Sequence, residues 1–173
     1  MANRVYLERP SARREREFLD AALRSRALHR GFVAPPATAI EYREYLRRSR
    51  RAQQRSFFVV EPASLALAGV ANVNDIVRAC EQSGRLGYYA FTPWAGAGLM
   101  RAGLEALIGV AFGELKLQRL EANIQSNNVR SIALVESLGF EREGTSRGYL
   151  KIGNRWRDHE RWALLKEQWH KSR

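Results

Sequence analysis

A single cysteine, Cys80, stands in the whole sequence. No internal disulfide can form, and a reducing, cytoplasmic setting fits best. The 3 histidines are scattered along the chain and sit near no cysteine, which gives no zinc cluster and no expected metal. No apolar run approaches the roughly 20 residues of a membrane span, so no membrane association is expected. The opening Met1-Ala2-Asn3-Arg4 lacks the apolar core of a secretion signal. Neither the Gly-Lys-Ser/Thr ending of a phosphate-binding Walker loop nor a G-x-G-x-x-G dinucleotide fingerprint is present. Acidic residues are scarce as well: 18 against 29 lysines and arginines, a net charge of +11. Such a field draws polyanions, whether nucleic acid, ribosome or a phosphate-bearing cofactor, without choosing among them. Arg43, Arg47, Arg48, Arg50, Arg51 and Arg55 concentrate it. The plainer reading of that run is a solvated helix face, because charge alone carries no base-reading geometry.

What is present reads as one mixed α/β domain over residues 1–173. Val5-Tyr6-Leu7 is a short first strand. A helix follows from Ser11, its expected cap, to about Leu28, and a second from about Thr38 to Gln53. Ser56–Val60, Leu65 to about Ile76 and Leu86–Phe91 form a meander with short connections. A helix-like run then leads to Leu117–Ile124, where apolar and polar residues alternate. Strand, helix, strand implies a parallel pair with a right-handed crossover. Asn127 or Asn128 opens another helix, ended near Gly139. Phe140–Ile152 and Arg155–Leu165 close the chain as a hairpin turning at Gly153-Asn154. The expectation is a central, mostly antiparallel sheet of about seven strands flanked by about four helices.

Chemistry concentrates in Thr92-Pro93-Trp94-Ala95-Gly96-Ala97-Gly98-Leu99-Met100, between a strand and a helix. Free N–H groups and the helix dipole gather partial positive charge at such a start, and glycine lets a ligand come close. A second cluster is Asn127-Asn128-Val129-Arg130-Ser131-Ile132-Ala133-Leu134-Val135-Glu136-Ser137-Leu138-Gly139-Phe140, followed by Glu141-Arg142-Glu143-Gly144. A third is Gly153-Asn154-Arg155-Trp156-Arg157-Asp158-His159. Taken in order, the three blocks closely resemble the GNAT superfamily of acetyl-coenzyme A N-acetyltransferases, over nearly the whole chain and most specifically in residues 86–169. The ending, with Gly69-Val70-Ala71-Asn72, looks like the RimJ/RimL branch, its RimJ subgroup nearest. That branch acetylates protein N-termini, notably those of ribosomal proteins.

The resemblance implies a GNAT-like fold, acetyl-CoA as cosubstrate and a set of site residues. Gly96, Ala97, Gly98, Leu99 and Met100 would present backbone N–H groups to the pyrophosphate. The family's loop opens on Arg or Gln where Ala95 stands here, so a nearby cation, Arg101 or Arg130, would compensate. The strand bearing Tyr88, Ala90 and Phe91 would lend backbone groups to the pantetheine arm. Tyr88 and Tyr89 point to opposite faces, so at most one faces the cleft. Asn128 would lie near the pantetheine, or simply cap its helix. Ser131 lies on the inward stripe with Leu134, Val135 and Leu138. Its partner is either a carbonyl one turn back or, as the branch implies, the cofactor sulfur, for which it would be the proton donor.

Transfer would be direct, without an acyl-enzyme, and Cys80 has no activating histidine in evident reach. Asp75, Asp158 and Glu160 are the visible bases. Asp158 with His159 reads rather as a structural pair, and His29 and His170 as surface residues. The leading acceptor is a protein N-terminal α-amine. Alternatives are a small amine (polyamine, aminoglycoside or amino acid) or a non-catalytic basic protein bound to ribosome or nucleic acid. Ribosome association and a homodimer complete the expected partners.

Overall fold

A computed structural model describes residues 5–171; the leader reading of Met1–Arg4 falls outside them. Seven strands form one sheet in the order β1-β2-β3-β4-β5-β7-β6. They are β1 (Tyr6–Glu8), β2 (Arg55–Val60), β3 (Leu67–Val77), β4 (Ser83–Ala90), β5 (Arg119–Ile124), β6 (Glu141–Ile152) and β7 (Arg155–Leu165). All pairings are antiparallel except β4 with β5. The helices are α1 (Glu15–Arg24), α2 (Arg26–His29), α3 (Ala39–Ser49), α4 (Leu99–Gly113), α5 (Val129–Ser137) and α6 (Lys166–Lys171). The mixed sheet, the meander, the parallel pair around α4 and the closing hairpin agree with the expected fold.

Both faces of the sheet are covered, and alternation along the strands supplies each. On β2, Val59 points toward α4 and α5, while Phe58 and Val60 point toward α1 and α3. The α1–α3 face is aromatic. Phe18 stacks within 6 Å of Tyr42, Tyr45, Phe58 and Phe91. Burying each such ring contributes about 1.5–3 kcal/mol.

Three helix expectations need correction. The first helix is broken: a 3-10 turn (Ala12–Arg14) precedes α1, and Ser25 separates α1 from α2. The Ser25 hydroxyl donates to Ala21 O and accepts from Thr92 N, at 2.7 and 2.9 Å, so it joins the end of α1 to the segment that follows β4. Ser11 caps nothing with its side chain; its carbonyl accepts from the Tyr42 hydroxyl at 2.7 Å. The helix from Thr38 has the capping box of Thr38 and Glu41 but stops at Ser49. Beyond it Gln53 O accepts from Ile76 N, which draws the chain into the sheet.

Helix α4 packs on the sheet through Gly103, where an added Cβ would lie 2.6 Å from Val59 Cγ2. On the exposed side, a Cβ at Gly109 would meet nothing within 4 Å. Glycine costs a helix interior about 1 kcal/mol relative to alanine, whereas overpacking costs about 1–3 kcal/mol. The two glycines therefore have opposite signs. Gly109→Ala raises the melting midpoint by about 2–4 °C and Gly103→Ala lowers it, as thermal denaturation followed by circular dichroism will read.

Candidate active site

Strands β4 and β5 pair only over Ser83–Arg85 and Arg119–Glu121; beyond these they part. Antiparallel pairing turns alternate residues of β4 toward β3, and Phe91 N bonding to Ala68 O sets the phase. Tyr88 and Ala90 therefore aim their N–H groups into the gap, with the Tyr88 carbonyl beside them. Around this gap lies a cleft of about 1210 Å³ that reaches both faces of the sheet. On the α1–α3 side the α2 segment forms part of its wall. His29 Nε2–H donates to Ala90 O at 2.7 Å, and Gln125 Nε2 donates to Gly31 O at 2.9 Å. One bond fastens that segment to each of the parted strands.

Helix α4 starts at the cleft on Gly98, whose φ of 79° is left-handed, as is the 83° of Gly96. No side chain caps the helix. Its first internal bond is Ala102 N to Gly98 O at 3.2 Å, so the N–H groups of Leu99, Met100 and Arg101 lie at the open end. The Ala97 N–H is turned away, donating to Trp94 O at 3.2 Å. The Leu99 side chain is core, and Met100 lays its sulfur over Gly69 of β3. Arg101 donates to Ser137 O at 3.3 Å, so its guanidinium bridges to the end of α5. Arg130 is exposed at the cleft.

Of the residues singled out from sequence, Tyr88, Ala90, Gly96, Gly98, Met100, Arg101, Asn128 and Ser131 line this cleft. Phe91 does not. Its ring is fully buried in the aromatic layer, its N–H is held by Ala68 and its carbonyl by Trp94 N. Ala97 and Leu99 also fall outside the lining.

Asn128 caps α5, accepting from Ser131 N at 3.3 Å. The Ser131 hydroxyl does not turn to a carbonyl one turn back. It lies 2.6 Å from the Tyr88 hydroxyl. Burial pushes the Tyr88 phenol up to about 12, the bond to Ser131 offsetting part of that rise. The phenol therefore keeps its proton at neutral pH, and the pair can donate one into the cleft.

The opposite face of the gap carries two histidines. His29, expected on the surface, is 4% exposed, and burial lowers its pKa despite the bond to Ala90 O. Its ring packs edge-on against Tyr89 at 5.3 Å; Tyr89 faces this side and Tyr88 the other. His159, 3% exposed, also lines the cleft. It is not paired with Asp158, whose carboxylate accepts from Gly148 N at 2.7 Å in the β6–β7 hairpin. Glu160 is engaged by Arg142 at 3.1 Å and by the Trp162 N–H at 3.2 Å. Asp75 is the one carboxylate among the described lining residues, against Arg85, Arg101 and Arg130, and it pairs with Arg85 at 3.4 Å. Cys80 is exposed and outside the lining. Sequence periodicity had no signal for His29, which is placed by a contact with a distant strand end, whereas His159 is placed within its own hairpin.

No helix among the described residues is long and apolar enough to cross a membrane. Residues 4–141 match the model of the acetyltransferase (GNAT) domain family. The chain is similar to the [Ribosomal protein uS5]-alanine N-acetyltransferase of Escherichia coli (strain K12), 37% identical over 113 residues, 65% of this chain and 58% of that enzyme. It thus spans about three-fifths of that relative's length. Among solved structures, it is similar in fold to Mycobacterium smegmatis RimJ in complex with CoA-disulfide, with a TM-score of 0.84, 21% identity and coverage of 95% and 86% of the two chains. It is also similar in fold to spermidine N-acetyltransferase from Vibrio cholerae in complex with CoA and spermine, with a TM-score of 0.82, 19% identity and coverage of 96% and 98%. A sheet parted at β4 and β5, an uncapped glycine-started helix beside the gap and a family match over most of the length make one conclusion: the chain belongs to the GNAT acetyltransferase family, and is an acyltransferase that uses acetyl-CoA.

Proposed function

We propose that this enzyme acetylates the α-amine of a protein N-terminus, a ribosomal protein in the first instance, by direct attack on acetyl-CoA in a cytoplasmic setting. The carrying observation is the charge of the cleft: a single carboxylate, Asp75, already paired, among three arginines. A polyamine such as the substrate of the Vibrio cholerae neighbour would find no unpaired carboxylate among the described lining residues to hold its further charges. An N-terminal amine carries a single charge and loses it readily. With a pKa near 8 about a tenth is neutral at pH 7, against well under a thousandth for a lysine near 10.4. The exposed Arg48, Arg50 and Arg51 at the end of α3 suit an acceptor presented beside RNA, on a ribosome. The reading includes a homodimer, as the family resemblance implies.

Acetyl-CoA supplies the activated thioester. The N–H groups of Leu99, Met100 and Arg101, with Gly96 and Gly98 leaving room for a close approach, would hold its diphosphate. The parted edge at Tyr88 and Ala90 would pair with the amide-rich arm, and N–H groups there would steady the charge that develops on the carbonyl oxygen. The Tyr88–Ser131 hydroxyl pair would give the leaving sulfur its proton.

Three measurements test these assignments. In a thiol-release assay with a panel of acceptors, peptides with free N-termini outpace spermidine and free amino acids by at least about tenfold; a preference for spermidine overturns the assignment. Gly98→Glu puts a carboxylate against the diphosphate and weakens acetyl-CoA binding by more than about 100-fold, while strain at the positive φ costs only about 1–2 kcal/mol of stability. Retained binding in calorimetry would remove the loop from the phosphate site. Ser131→Ala lowers kcat about 10-fold or more with acetyl-CoA affinity held within about twofold; an unchanged rate assigns Ser131 to packing.

A further inference from the structure

The mechanism still lacks a group to take the proton of the incoming ammonium. Asp158 and Glu160 are committed elsewhere, and Asp75 faces Arg85. His159 differs from all three. Its Nδ1 lies 3.0 Å from the carbonyl of Arg157, and a carbonyl can only accept. Nδ1 therefore carries the hydrogen, and the lone pair of the neutral ring sits on Nε2. The ring is held by burial and by Tyr149, whose centroid is 5.7 Å away. No hydrogen-bond partner satisfies Nε2 among the described residues, yet it is not sealed away as Nδ1 of His29 is. The ring lines the cleft, so Nε2 opens into it.

Register places that residue level with the parted stretch, one strand beyond the gap. Glu160 pairs with Ile124, and the parallel register of Arg85 with Glu121 brings Tyr88 level with Ile124 three residues on. His159, one residue further along β7, therefore stands level with Tyr89, with β5 between it and the gap. Trp162 and Leu164 face α4 and α5, so alternation turns His159 to the other face of the sheet, with Asn123 and Gln125. Donor groups lie on one face, and this lone pair waits on the other.

The geometry points to His159 as the general base of the transfer, receiving the acceptor's proton on Nε2. The ammonium gives one proton to Nε2 and becomes a neutral amine. Its lone pair forms the C–N bond as the C–S bond breaks, and sulfur keeps the bonding electrons. Sulfur takes the Tyr88 hydroxyl proton, a second nitrogen proton restores the Tyr88–Ser131 pair, and Nε2 releases its proton to solvent at the cleft mouth. The charged or titratable groups around the ring are Arg157, Asp158 and Arg161 on β7, Tyr149 on β6, and Asp75, Arg85 and His29 across the cleft. The assignment rests on the transferase reading but not on which amine is the acceptor.

The test is His159→Asn, whose side-chain amide can still donate to the Arg157 carbonyl but offers no basic nitrogen. It is assayed with the best acceptor of the panel and with trifluoroethylamine, a primary amine of low basicity that is neutral at pH 7. The expected result is a kcat about 10²–10³-fold lower at pH 7 for the basic acceptor, with acetyl-CoA KM within about twofold. By pH 9 that loss shrinks at least about fivefold, because most α-amine is then neutral. Trifluoroethylamine shows less than about a fivefold loss at either pH. Equal losses at both pH values and for both amines would make His159 a structural residue, and an unchanged kcat would remove it from the reaction; either overturns the assignment. His159→Gln repeats the measurement if the asparagine variant melts below the assay temperature. Spermidine outpacing peptides would sink the N-terminal reading alone and leave this comparison intact.

Discussion

The separation of β4 from β5 is the constraint on which the rest depends. Two parallel strands that pair for three residues and then diverge leave backbone groups facing each other across empty space. Nothing in the sheet satisfies them, so the site is open by construction and suited to an amide-rich ligand. Meanwhile β4 stays paired to β3 along its length, and β5 to β7. The opening is therefore a rigid feature, braced on each outer side, with α4 set at its donor end by the close contact of Gly103 on Val59.

Two faces of one gap divide the chemistry. Tyr88, Asn128, Ser131 and the start of α4 belong to the α4–α5 face; His29, His159, Tyr89, Asp75 and Arg85 serve the other. Neighbouring residues of a strand point in opposite directions, so Tyr88 and Tyr89 can supply both sides from adjacent positions. Two substrates can then approach from opposite directions and meet only where the backbone is missing.

Most of the architecture was legible because it is written in local periods. Strand alternation in Leu120, Ala122 and Ile124, the turn at Gly153-Asn154 and the cap at Asn128 each involve residues close in sequence. The glycine start of α4 was legible for the same reason. Long-range hydrogen bonds were not. Ser25 joins α1 to Thr92, which no local pattern announces. His29 is buried through Ala90, and the expected Asp158–His159 pair is dissolved by a bend at Gly148 that takes the carboxylate. Phe91 failed differently: it follows the right strand, but the chain has already turned its ring into the aromatic layer. The partner of Ser131 was the hardest to foresee, being a hydroxyl on another element.

Phe91 and Thr92 tie the root of the glycine loop to α1, through the Phe18 ring and the Ser25 hydroxyl. On the proposed reading, the hold on the acyl carrier depends on a helical layer that does not line the cleft at α1 or α3. Loosening that layer by heat or denaturant would unseat the loop from behind, so the capacity to hold the carrier should fade before the sheet gives way.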